Sequence, residues 1–264
     1  MFRPFFMSAV AGVFLSTSVY ADNVDVNQLM IQSDAATKVI DAKSEMTMTL
    51  ENEDHQQRVR KLIAFTKLKT DGINNQRVLR FLAPADIKGT VTLLNEQTGQ
   101  DDDMWIYLPS LKKTRRLVSD NKRDSFVGSD LTFGDLIGHK PSEWISTLQK
   151  EDSLDNKPVY IIESLPKDES VKTHTGYSKR LLWIDKESHV TLKTDYWDES
   201  GQLLKTIQVS DVRLVDSEHA KWQFMDLNAE NHQSHHKTQL HFDDYRVNQN
   251  LANDLFTPHA IEKE

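Results

Sequence analysis

From Lys43 onward the chain alternates apolar and polar residues with a period of two, and a sequence built this way buries its apolar face by laying strand beside strand. Met46, Met48 and Leu50 fall on one face of the first such stretch, with Glu45, Thr47, Thr49 and Glu51 on the other. Asn52-Glu53-Asp54 supplies a turn, and Gln56 to Leu68 resumes the alternation with Val59, Ile63 and Phe65 in phase. Further strands are expected over Gln76 to Ala83, Thr90 to Asn95, Asp103 to Leu108, Trp144 to Lys150, Pro158 to Leu165 and Lys179 to Asp185. Four more follow over Val190 to Trp197, Leu203 to Val212, Trp222 to Ala229 and Thr238 to Tyr245. Their separators, among them Asp155-Asn156 and Asp198 to Gly201, are hairpin-turn chemistry. Strands do not alternate with helices, which disfavours a parallel doubly wound sheet. The expected fold is mainly β, an antiparallel meander of about 11 or 12 strands curled into a barrel or half-barrel.

Two segments depart from this rhythm. Val26, Leu29, Met30, Ser33, Ala36, Thr37 and Ile40 recur at helical steps and predict a helix from about Asp25 to Ala42. Ser119 to Gly138, with Gly128, Gly134 and Gly138 among polar residues, reads as an ordered loop. It is expected to carry a short helix near Leu131 to Leu136, capped by Ser129 or Asp130.

The start of the chain points to a compartment. Met1-Phe2-Arg3, the apolar run from Phe5 to Leu15 and the small residues up to Ala21 form a signal-peptide pattern with cleavage after Ala21. The apolar run falls short of the roughly 20 residues that a spanning helix needs. Residues 22–264 are then expected to form one domain in the periplasm, since no Pro/Gly/Ser linker divides them. Cysteine is absent, which excludes disulfides, thiolate nucleophiles and an acylated cysteine. The formal charge of −8, taken to −9 by loss of Arg3, argues against nucleic acid as a partner. Apolar residues make up only 38% of the chain, which a sheet with one wet face explains.

Several runs carry a family resemblance. They are Val78-Leu-Arg-Phe-Leu-Ala-Pro84, Gly89-Thr-Val-Thr-Leu93, Asp103-Met-Trp-Ile-Tyr-Leu-Pro109, Thr114-Arg-Arg-Leu117 and Asp124 to Leu136. Trp183-Ile-Asp185, Tyr196 to Gly201 and Asp254-Leu-Phe-Thr-Pro258 extend the match through the second half. The chain resembles the outer-membrane lipoprotein-sorting family, the LolA-like proteins of the LolA/LolB/LppX superfamily, in the branch associated with RND/MmpL-type exporters. The resemblance implies an incomplete antiparallel barrel of about 11 strands, apolar inside and partly plugged by helices, as in that superfamily. It also implies a lipid or an acylated protein as guest, an RND/MmpL-type inner-membrane transporter as partner, and no cofactor. A monomer is expected.

Candidate residues follow. Met46 and Met48 are suited to irregular acyl chains because thioethers adapt their shape. Ile63, Phe65, Phe81, Leu93, Trp105, Tyr107 and Trp183 are the other candidate lining residues. Met104, Ile106 and Leu108 make the second face of the Trp105 strand apolar as well, so that strand must be covered on both sides. In the basic run, Lys112 and Lys113, with Lys122 beyond it, are candidates for a headgroup or partner surface. Arg115 and Arg116 are expected to hold the glycine-rich loop by pairing with Asp120, Asp124, Asp130 or Asp135, and Gly128, Asp130 and Asp135 complete that motif. His232, His235 and His236 read as a solvated turn rather than a metal site, because no second ligand motif accompanies them. No Gly-x-Ser-x-Gly or His-Glu-x-x-His motif is present, so an enzyme is not expected. A docking subunit of an exporter, with its concavity filled by its own side chains, is the alternative to a carrier.

Overall fold

A computed structural model of the chain describes residues 24–262. The expected signal peptide lies outside the described residues; each segment read as a strand from its alternation is a strand. The first strands are β1 (Asp41–Glu51), β2 (Gln57–Leu68), β3 (Asn75–Ala83), β4 (Val91–Asn95), β5 (Asp103–Leu108) and β6 (Lys113–Leu117). The remainder are β7 (Trp144–Leu154), β8 (Lys157–Pro166), β9 (Tyr177–Asp185), β10 (Thr191–Asp198), β11 (Leu203–Asp216), β12 (Lys221–Asn231) and β13 (Lys237–Val247). All 13 belong to one open antiparallel sheet in the order β6-β5-β4-β3-β2-β1-β13-β12-β11-β10-β9-β8-β7. The strand that periodicity passed over is β6, because Lys113-Thr-Arg-Arg-Leu117 buries only Leu117.

The topology decides where the functional elements lie. β1 pairs with β13, Ala42 opposite Val247, so the two ends of the folded chain meet in the middle of the sheet. The Asp41 carboxylate secures that meeting by accepting the backbone N–H of Gln249 at 2.5 Å and of Leu251 at 3.0 Å. β6 and β7 lie at opposite edges, so residues 118–143, which join them, must cross from edge to edge over the concave face. Bulges at Glu45/Met46, Lys61/Leu62 and Tyr196/Trp197 help the sheet to curl beneath this strap.

The sheet of the first half is apolar on both sides, as the Trp105 strand requires. Its concave side carries Met46, Met48, Leu50, Leu62, Phe81 and Met104 against Phe126, Phe133 and Ile137 of the strap. Its convex side carries Val78, Val91 and Leu93 with Phe65, Trp105 and Tyr107, covered by Phe256 and Ile261 of the C-terminal turns. The phase of β2 is therefore the reverse of a reading that buries Val59, Ile63 and Phe65 inside. Arg60, Leu62 and Ala64 face the concavity, and Val59 is 51% exposed.

Among the described residues three α-helices accompany the sheet. α1 (Val26–Ala35) starts where Asp25 accepts the Gln28 N–H, and it lays Leu29 and Met30 on Ile162, Leu182 and Ile184. It stops well before Ala42 because strand pairing claims the chain from Asp41, and Ile40 is left exposed. α2 (Phe133–Ile137) lies in the strap. Its cap is Thr132, not Ser129 or Asp130, in a reciprocal box with Asp135. α3 (Glu169–Thr175), between β8 and β9, has no apolar stripe to announce it; Asp168 caps its start and Gly176 ends it at φ 76°.

Candidate functional site

The curled sheet and α1 enclose a hollow of about 360 Å³, within the range of small-molecule sites. Met46, Ala64, Leu79, Val209, Leu240 and Phe242 supply apolar wall, and Leu131 and Leu136 of the strap close one side. A second, outer groove of about 380 Å³ runs between α1 and the end of the strap, along Met30, Ile31, Ile73, Ile137, Pro141 and Trp144. Ile31 and Ile73 on its rim are more than half exposed.

Asp34, Lys38, Glu96 and Gly138 border both spaces. Lys38 Nζ lies 2.8 Å from Asp34 Oδ2 and 3.0 Å from Glu96 Oε2, and donates to the Ile73 carbonyl at 2.8 Å. Glu96 also accepts the Asn75 N–H at 2.9 Å and faces Arg77 Nη2 at 3.5 Å. A paired, charge-neutral partition thus stands between groove and hollow.

The strap is pinned from both halves of the sheet. From the first half, Arg60 donates to the Val127 carbonyl and Arg77 to the Leu136 carbonyl. Asp102 holds Lys122 at 2.6 Å and Lys140 at 2.8 Å. From the second half, Lys205 reaches the Asp130 carbonyl at 2.9 Å and Asp135 Oδ2 at 2.5 Å, Tyr177 donates to Asp135 Oδ1 at 3.0 Å, and Asp130 accepts from Thr238 at 2.7 Å.

Burial by itself would raise the Asp135 carboxyl. The ammonium of Lys205 and the hydrogen bond with His139 outweigh burial and hold it well below the usual carboxylate range. His139 is pulled down to about 4 by burial and by the positive charge of Arg180, against the opposing pull of Asp135. Burial also raises the Tyr177 and Tyr196 hydroxyls above their ordinary value.

Beside this cluster, α1, β9 and β10 enclose a chamber of about 170 Å³ bordered by Ser33, His139, Arg180, Thr191, Thr194 and Tyr196. Arg180 is 3% exposed and lies against the Trp144 ring, 3.7 Å from its centroid. Its Nε and Nη2 meet no acceptor. Burial pulls the guanidinium down to about 10, against the opposing pull of Tyr196 and Asp135.

The residues singled out from sequence distribute unevenly. Met46 borders the hollow, and Met48 and Phe81 share its face but are packed beneath Phe126 and Phe133. Phe65, Leu93, Trp105 and Tyr107 belong to the convex cluster, and Ile63 has the same parity as Phe65. Trp183 alternates with Leu182 and Ile184, which pack on α1, and Lys193 lies 4.1 Å over its ring. Lys112 and Lys113 are exposed at the β5–β6 turn, whereas Lys122 is buried in its ion pair with Asp102, unlike a surface lysine. Arg115 is exposed, and Arg116 pairs with Asp103 at 3.1 Å across the β5–β6 ladder. The loop aspartates take other partners: Asp130 is held by Thr238 and Asp135 by Lys205, both from the second half of the sheet. Gly128 sits at φ 75° in the turn between Phe126 and Ser129. His236 Nδ1 contacts Asp130 at 2.6 Å and His232 contacts Thr206 at 2.8 Å. Among the described residues, no group of three or more His, Asp or Glu is placed to hold a metal.

Sequence reading missed Arg180, Lys205, His139, Tyr177 and Tyr196. A signal existed for two of them: Arg180 stands in phase with Leu182 and Ile184, and Lys205 with Val209, so each is a charge at an inward position of an alternating strand.

An open, curled antiparallel sheet around an apolar hollow, with a helix-bearing strap across its mouth, defines the LolA-type half-barrel class. Residues 73–263 match a family model whose description reads "Uncharacterized protein", and the chain belongs to that family. One solved relative, a domain from Vibrio parahaemolyticus named for outer membrane lipoprotein sorting, is 26% identical with a TM-score of 0.82, over 90% of this chain and 98% of its own. A DUF1329 family protein from Desulfovibrio piger is 27% identical with a TM-score of 0.81, over 89% of this chain and 97% of its own. A LolA superfamily protein from Nitrosomonas europaea shares the fold at 20% identity and a TM-score of 0.66, over 89% of this chain and 98% of its own. No curated protein matches. No helix among the described residues is long and apolar enough to cross a membrane.

Proposed function

We propose that the chain is a non-enzymatic carrier that shelters the acyl part of a lipid or acylated protein while it passes through the periplasm. The observation that carries this reading is the apolar hollow on the inner face of the sheet, with a greasy outer groove on the far side of the Asp34–Lys38–Glu96 partition. An acyl chain in water costs about 0.8 kcal/mol per exposed CH₂, so a travelling lipid needs such a sheath. Supporting it are the names of the relatives of the same fold and the signal-peptide pattern over residues 1–21, whose removal leaves one domain over 22–264.

Of the two elements that front the hollow, α1 is the lid. It buries only Leu29 and Met30, whereas the strap is fastened by ion pairs and hydrogen bonds to both halves of the sheet. The exposed Lys112 and Lys113 belong to the surface that meets a headgroup or partner, and the partner on the donor side is an RND/MmpL-type inner-membrane transporter. The transporter rests on the family resemblance.

The test is to purify the protein from its own envelope, extract it with organic solvent for mass spectrometry, and titrate the delipidated protein with the neutral dye N-phenyl-1-naphthylamine. Co-purifying lipid that competes with the dye is expected. A protein with no extractable lipid and no dye binding overturns the carrier reading, and if it still captured the transporter it would be a docking subunit instead.

A further inference from the structure

Resting on the carrier reading, we propose that Arg180 is an internal receptor for the head of the guest: an anionic carboxylate or phosphate group seated in the chamber between α1 and β9–β10, with its acyl chain in the adjoining hollow.

The inward-facing cations of the sheet set Arg180 apart. Arg60, Arg77 and Lys205 each donate to a carbonyl of the strap, at Val127, Leu136 and Asp130. Arg180 is as deeply buried, yet two of its three nitrogens, Nε and Nη2, have no acceptor. Its contact with the Trp144 ring, 3.7 Å from Cζ to the centroid, does not use those N–H groups. The indole Nε1 of Trp144, which borders the outer groove, also lacks an acceptor. A buried guanidinium with idle donors is costly to the folded protein, and cation–π stacking recovers only part of that cost.

The charge balance around it points the same way. Asp135 is matched by Lys205, Asp34 by Lys38, and Glu96 by Lys38 and Arg77. No carboxylate lies within ion-pair distance of Arg180 among the described residues. Asp135 and Glu143 act on Arg180 only from beyond ion-pair distance, so it stands as a buried cation with idle donors, and a carboxylate or phosphate matches its fork.

The surroundings suit a head group attached to a tail. Ser33, Thr191, Thr194 and Tyr196 border both the Arg180 chamber and the apolar hollow, so an anionic head at Arg180 has hydroxyls beside it and hydrocarbon space next door. Met30 and Pro141 border both the chamber and the outer groove, which gives the head a route in beneath α1.

The experiment compares palmitate, monohexadecyl phosphate and uncharged hexadecanol as competitors of N-phenyl-1-naphthylamine, all below their aggregation concentrations. It uses the delipidated wild type, Arg180→Met and Arg180→Lys. The wild type should favour at least one anionic amphiphile over hexadecanol by about tenfold or more, as expected for hydrogen bonds to a charged group. The better of the two identifies the head as carboxylate or phosphate. Arg180→Met should erase the preference while still binding the dye and hexadecanol, and its Tm should equal or exceed that of the wild type, because an unmatched buried charge has been removed. Arg180→Lys should keep a reduced preference, and it carries the comparison if the methionine variant fails to fold. Equal affinity for charged and uncharged amphiphiles in the wild type overturns the proposal, as does a preference that survives in Arg180→Met. Loss of dye binding by the wild type itself is the separate failure of the carrier reading, and the receptor proposal falls with it.

Discussion

At the scale of single residues the interior of this protein is governed by a few charges in an apolar setting. Lys205 and Asp135 are both almost fully buried and 2.5 Å apart, so removing one strands the other. Lys205→Met is expected to cost about 3–5 kcal/mol in urea unfolding, and adding Asp135→Asn should restore most of it. His139 gives the molecule an acid limit. Its folded value of about 4 lies below the ordinary 6.5, so between those pH values a proton binds the unfolded imidazole more readily than the folded one, and stability falls as pH is lowered through that window. The full separation corresponds to about 3 kcal/mol. Below it Asp135 adds to the loss, since its carboxyl must then be protonated. His139→Gln, which keeps a donor for Asp135, should flatten the fall in Tm between pH 7 and pH 4.5; an unchanged profile would show that another group sets the limit. These roles were only partly legible in the sequence. Alternation marks Arg180 and Lys205 as inward charges, but the partners of Lys205 come from the strap and the ring beside Arg180 from Trp144 of β7, both far away in the chain, and no local pattern announces them. The parity of β2 misled for a related reason: Arg60 occupies an inward position while Val59 faces out, so hydropathy alone chooses the wrong face.

At the scale of elements, strand periodicity was a good guide wherever one face of a strand is buried, and it failed where the chain offers no apolar stripe. β6 buries a single leucine at an edge kept charged by Lys113, Arg115 and Arg116, which also discourages pairing with another chain. α3 is held by its caps rather than by an amphipathic face. The N-terminal helix was visible, but its end was not, because the competing β1–β13 pairing is a long-range event. α1 is also the element whose motion can be tested directly. Ser33 Oγ and Thr191 Oγ1 are 3.0 Å apart, and the chain has no cysteine of its own. Oxidised Ser33→Cys/Thr191→Cys protein should therefore carry one defined bridge from α1 to β10. Uptake and release of N-phenyl-1-naphthylamine, followed by stopped-flow fluorescence, should slow by about tenfold or more and recover on reduction. Equal rates in both redox states would place the door elsewhere.

At the scale of the whole molecule, the meander in the sequence was enough to fix the sheet, whereas the existence of the hollow depends on how residues 118–143 return from one edge to the other. That return cannot be read from periodicity, because the strap is largely polar and its buried residues, Phe126, Leu131, Phe133 and Ile137, find their partners only after the sheet has curled. Lengthening it by four Gly/Ser residues at the exposed turn around Gly128 leaves the β1–β13 pairing untouched. Such a variant should bind bulkier amphiphiles than the parent while losing about 1–2 kcal/mol of stability, measured by dye competition and urea unfolding.

The strap behaves as the hoop on a cask. Thirteen staves have freedom to lean and twist, but the circumference they share is limited by a band of fixed length riveted to both sides. On the carrier reading, the girth of an admissible guest is thus set by a count of residues in one connection, and its chemical character by the side chains on the staves, so that the two can be altered one at a time.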